Sequence, residues 1–98
     1  MLHPKRRPTL PGEILKEHYL QPRDITVTAF AEAVGYSRRH ISRVIHGEAR
    51  IEADLAARMA QVLNTTPHFW LNLQNAIDLY HAEQEMKDWK PNTVYHVA

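Results

Sequence analysis

Gly35-Tyr36-Ser37-Arg38-Arg39-His40-Ile41-Ser42-Arg43-Val44-Ile45-His46-Gly47 is the stretch on which the fold turns. A glycine permits a tight turn, and a serine follows at the position of a helix N-cap. A short helix over about Arg38 to His46 is then predicted, closed by Gly47. Ile41, Val44 and Ile45 form one apolar face, and three arginines crowd the other. A helix with its back buried and cations near its start has the shape needed to enter a DNA major groove.

The residues before this unit supply its partner. Thr26 is placed to cap a helix over Val27 to Val34, with Phe30, Ala31 and Val34 inward and the small Ala31 where two helices cross closely. An earlier helix is expected from Pro11 to about Leu20, with proline suited to its first turn and Glu13 to the positive end of its dipole. Pro22 is expected to stop it. After the arginine-rich helix, one helix is expected over about Glu52 to Leu63, burying Leu55, Ala56, Met59, Val62 and Leu63. Another is expected from Pro67 to about Met86, capped by Thr66, with Phe69, Leu73, Ala76 and Tyr80 on one side and Trp70 and Ile77 beside it. So wide an apolar arc implies deep burial or a surface shared with a partner. Thr93 to Val97 alternate like a short strand, which alone cannot make a sheet.

The 98 residues bound one all-α domain, read as a basic arm at 1–10, a helix-turn-helix domain at 11–86 and a tail at 87–98. Cysteine is absent, which excludes disulfides, thiolate metal sites and a cysteine nucleophile, and fits a cytoplasmic location. No leader pattern or membrane-length apolar run is present. The net charge of +1 is unevenly spread. Residues 37–50 hold four arginines against one glutamate, whereas residues 51–98 hold three basic and six acidic side chains. The central block fits a phosphate-facing surface, and the acidic half is expected to face something else. Seven histidines are scattered without metal-ligand spacing, and no nucleophile–base pattern or phosphate-cradling glycine loop appears, so no enzyme activity, metal or cofactor is expected.

The expected DNA contacts follow from position. Arg38 and Arg39 in the first turn and Arg43 one turn later are candidates for guanine, through bidentate contacts to O6 and N7. Ser37, His40 and Ser42 lie within reach of bases or phosphates. Thr26 and Thr28, at the start of the preceding helix, offer a dipole-assisted phosphate site, and Arg50 a further phosphate contact.

These residues resemble the Xre/lambda-repressor-like helix-turn-helix superfamily over roughly Pro11 to Leu73. Within it the chain is similar to HigA-type antitoxins. Pro11-Gly12-Glu13-Ile14-Leu15 matches a "PGE-hydrophobic-L" opening, and Phe69-Trp70-Leu71-Asn72-Leu73-Gln74 with Asp78-Leu79 matches a "FWLNLQ…DL" signature. The resemblance implies a five-helix domain acting as a homodimer on palindromic operator double-stranded DNA, repressing its own operon. It also implies a cognate HigB-type toxin, a ribosome-dependent mRNA endonuclease of RelE-like fold. The signature itself is expected to be mainly structural, with Phe69, Trp70 and Leu73 packing and Asn72 and Gln74 satisfying backbone groups. A stand-alone repressor, and a protein-interaction module without DNA binding, are the alternatives within one chain.

Overall fold

The computed structural model describes residues 6–97, in which the regular structure is entirely helical. The chain begins with α1 (Pro11–Ile14), continues in a wider π-type turn over Leu15–Leu20 and closes with a 3₁₀ turn at Gln21–Arg23. Then follow α2 (Val27–Val34), α3 (Arg38–Ile45), α4 (Ala53–Leu63) and α5 (Pro67–Glu85). The expected continuous first helix thus departs from α geometry midway. Pro22 has no N–H to give to the carbonyl of His18, so the regular ladder cannot run on. The guanidinium of Arg23 instead donates to the carbonyls of His18 and Tyr19, at 3.2 and 3.0 Å.

Three hydroxyl residues start helices as the sequence predicts. Thr26, Ser37 and Thr66 accept from the backbone N–H groups of Ala29, His40 and Phe69, at 3.0, 3.0 and 3.2 Å. Each bond satisfies a donor that the first helical turn leaves unpaired. Gly35 ends α2 at φ 74°, in the left-handed region that a side chain disfavours. Gly12 sits where α1 meets the end of α3: a Cβ there would stand 2.1 Å from the Val44 carbonyl oxygen and 2.6 Å from Ile45 Cα. Only glycine allows this backbone-on-backbone contact, which explains the glycine of the opening motif.

The core joins the π-type turn after α1 to α2, α3, α4 and α5 through Leu15, Leu20, Phe30, Val34, Ile41, Val44, Leu55, Met59 and Trp70. Two expected core stripes are corrected. In α4 the buried face is Leu55, Ala56, Met59 and Ala60, while Val62 is 41% exposed. Successive helical residues advance about 100°, so Leu55, Met59, Ala56 and Ala60 follow one another over one arc, and Val62 falls just past the edge marked by Leu55. In α5 the buried stripe is Trp70, Gln74 and Ile77, not Phe69 and Ala76. Phe69 lies at the surface edge, its ring 4.9 Å from that of Trp70 and 6.1 Å from that of Tyr19. Gln74 does pair with the backbone, but Asn72 is exposed.

Among the described residues no strand forms, and Val94, Tyr95 and Val97 are solvent-exposed. The arm read at 1–10 lies outside the described residues up to Lys5, and beyond it Arg7 approaches Glu13 at 3.8 Å. No described helix is long and apolar enough to cross a membrane.

Candidate nucleic-acid interface

Helix α3 owes its orientation to an apolar back and a polar front. Ile41 and Val44 are almost fully buried and Ile45 is 8% exposed. At about 100° per residue, Arg38, Ser42, His46, Arg39 and Arg43 follow one another around the opposite arc. His40 falls on the flank of that arc, half-buried, with its ring 5.2 Å from the Tyr36 ring. Ser42 is half-buried too, and its own carbonyl lies 2.7 Å from His46 Nδ1. The arc presented to solvent is therefore carried by the arginines and His46, with the half-buried Ser42 between Arg38 and His46 and His40 at the flank.

The three arginines differ in how they are held. Arg38 Nε–H donates to Thr28 Oγ1 on α2 at 3.1 Å. That bond ties the guanidinium to α2 through Nε and leaves both terminal nitrogens without a hydrogen bond among the described residues. Arg43 donates to the Glu48 carbonyl at 3.3 Å, which secures the loop after α3. Arg39 has no hydrogen-bond or ion-pair partner among the described residues, so it gives up only water and no internal partner when it meets an anion. Thr26 and Ser37 are engaged as caps through their hydroxyls, and Thr28 through Arg38. Arg50 lies away from this set: its guanidinium is paired with Asp78 on α5 and lies 3.5 Å from Glu52.

A second network braces the turn from behind. Arg58 on α4 donates to the Val34 carbonyl at 2.9 Å, where α2 ends, and to Asp54 at 3.0 Å. Asp54 also accepts from the Tyr36 hydroxyl at 2.7 Å. The Tyr36 ring lies between the Arg58 guanidinium, 5.4 Å from its centroid, and the His40 ring. Nothing in the sequence assigns Tyr36, Asp54 and Arg58 a shared role. Asp54 and Arg58 are one helical turn apart, but the spacing of Tyr36 from them gives no sign that it joins the pair.

This brace makes stability pH-dependent at both ends. The hydrogen bond from Tyr36, aided by Arg58, holds the Asp54 carboxyl below its ordinary value near 3.8. The same bond, with burial and the Asp54 charge, pushes the Tyr36 hydroxyl above its ordinary value near 10. A depressed acid contributes stability above its unfolded pKa and loses it as pH falls through the folded one. A raised tyrosine contributes below its unfolded pKa and loses it as pH rises through the folded one. Tyr36→Phe is therefore expected to lower Tm at neutral pH, with the gap to wild type narrowing below about pH 4. Thermal melts from pH 3 to 8 measure this, and a gap that stays constant to pH 3 refutes the bond's role.

A helix-turn-helix family model matches residues 16–71. Antitoxin HigA-1 of Vibrio cholerae is 43% identical over 91 residues, which cover 89% of this chain and 86% of the relative. The HTH-type transcriptional regulator YbaQ of Escherichia coli is 40% identical over 82 residues, 84% of this chain and 73% of the relative. Among solved structures, antitoxin GraA in complex with its operator superimposes with a TM-score of 0.83 at 36% identity, covering 100% of this chain and 99% of that one. With α2 and α3 forming its helix-turn-helix, the chain belongs to the Xre-like helix-turn-helix family that contains the HigA-type antitoxins.

Proposed function

We propose that this chain is the DNA-binding antitoxin of a type II toxin–antitoxin module, acting in the cytoplasm. Two copies occupy a palindromic operator, place their α3 helices in major grooves about 34 Å apart and repress the operon by covering its promoter. The same protein neutralises a HigB-type toxin, an mRNA endonuclease of RelE-like fold. The observation that carries the DNA reading is the arc of Arg38, Arg39 and Arg43 on a helix whose other face is buried. Arg38 and Arg39 read bases, Arg43 follows one turn on, and the α2 N-terminus with Thr26 and Thr28 meets a phosphate. Ser37, His40 and Ser42 line the margins of the contact. That GraA was solved with its operator, and that HigA-1 is named an antitoxin, supports both halves.

The two halves are tested separately. Footprinting on the DNA upstream of the operon is expected to protect two half-sites one helical turn apart. Affinity is expected to fall steeply with salt as phosphate-bound counterions are released. Co-expression with the neighbouring toxin gene is expected to restore growth. The second reading is a transcriptional regulator without a toxin, and the name of YbaQ, an HTH-type transcriptional regulator, fits it as well as the first. Operator protection without growth rescue selects that reading, and absence of salt-dependent DNA binding refutes both.

A further inference from the structure

The loop after α3 is tied to two places. At one end, Glu48 and Ala49 donate their N–H groups to the Arg43 carbonyl at 2.8 and 3.2 Å, so the loop sits against the arginine arc. At the other, the Ile51 N–H donates to Gln74 Oε1 at 2.7 Å, inside the protein. Gln74 then donates through Nε2 to Asp78 Oδ1 at 3.0 Å, and Asp78 Oδ2 accepts from Arg50. A chain of contacts thus runs from α5 to the residues beside Arg43. It employs two of the three polar members of the signature, Gln74 and Asp78. A groove of about 520 Å³ separates the two sides, with His40, Val44 and Glu48 on one wall and Ile77, Asp78 and His81 on the other.

Arg50 is half-exposed but turned to the acidic side of that groove, where Asp78 and Glu52 flank it. Without Asp78 its guanidinium keeps only Glu52, 3.5 Å away, and its backbone lies two residues after the carbonyl that Arg43 itself binds. We propose that Asp78 is a positioning residue that holds Arg50 on α5 and off the DNA backbone, so that the pair is a latch limiting DNA affinity. The inference rests on the DNA-binding reading of α3. It assigns α5 a direct electrostatic hold on the DNA-facing surface, distinct from its part in the core. Any group that engages Asp78 on α5 releases Arg50 to phosphate.

The test is operator binding against salt concentration for the full chain. Asp78→Asn keeps an oxygen that accepts from Gln74 but removes the charge that holds Arg50. It is expected to bind severalfold more tightly, with a log–log salt slope steeper by about 0.9 for each added phosphate contact. Glu52→Gln, on the other side of the guanidinium, is expected to give a smaller shift in the same direction. Glu85→Gln removes one acidic charge from the end of α5 without touching Arg50, and is expected to leave the slope unchanged. Arg50→Ala combined with Asp78→Asn is expected to abolish the gain. The latch is overturned if Asp78→Asn binds no more tightly than Glu85→Gln, or if the gain persists without Arg50. Loss of salt-dependent binding in the wild type itself overturns the DNA reading and the latch together. Ordinary wild-type binding with an unaltered Asp78→Asn slope overturns the latch alone.

Discussion

Arg39→Ala is expected to cost about 1–3 kcal/mol of operator affinity per copy and to flatten base preference at the position it reads. On a palindrome held by two copies the loss enters twice, about 2–6 kcal/mol, or roughly 30-fold to 10⁴-fold in Kd. Arg39 leads because it is exposed and has no internal partner to give up, so its contact with DNA carries little exchange cost. Arg38→Ala is expected to cost a similar amount for a different reason. Thr28 holds its Nε and leaves the two terminal nitrogens of the fork unpaired among the described residues. Arg38→Lys therefore recovers charge but not the fork, and should restore affinity for random DNA more than for the operator. Competition binding with operator and random duplexes gives both numbers. If Arg39→Ala and Arg38→Ala bind the operator as the wild type does, with the same preference over random DNA, α3 is not the reading helix.

The arginine arc was open to sequence reasoning because it depends on local signals. A capping serine, two glycines and an apolar repeat fix where α3 starts, which way it turns and which residues it shows. Arg50 shows the limit of such signals. In the sequence it is the fourth arginine of a block with net charge +3. In the fold Asp78, twenty-eight residues later, cancels it, and the block facing outward is Arg38, Arg39 and Arg43 against Glu48. Tyr36 escaped for the same reason: Asp54 and Arg58 stand four residues apart on α4, but a hydrogen bond across eighteen residues leaves no periodicity behind. Burial in α5 was misplaced by one residue on the helix wheel. Phe69 and Trp70 are both large and apolar, and composition alone cannot say which one enters the core. What decides it is the neighbouring polar residue. Gln74 stands one turn after Trp70 and must be inside to reach the Ile51 N–H, so Trp70 shares its face and Phe69 does not.

That face predicts the largest loss of stability in the chain. Trp70 is fully buried, its ring 5.2 Å from Tyr19, and its Nε1–H donates to Thr65 Oγ1 at 2.8 Å. Trp70→Ala removes the largest side chain of the core and leaves a cavity where the first helix, α4 and α5 meet, a change that costs about 3–5 kcal/mol. A domain of this size has about 5–15 kcal/mol in all, so the variant is expected to be close to unfolding at physiological temperature. Urea denaturation should show the midpoint falling with little change in slope, the mark of lost stability without a changed unfolded state. Trp70→Phe separates packing from the hydrogen bond. It keeps most of the apolar burial and leaves the Thr65 hydroxyl without its indole donor, so it is expected to cost clearly less than alanine. Trp70 lies on α5 and α3 carries the arginine arc, so folded Trp70→Phe should bind the operator as the wild type does. Loss of operator binding by this folded variant would show that the core face of α5 sets the pose of α3 directly. A midpoint for Trp70→Ala equal to that of the wild type would show that α5 is not held through this residue at all.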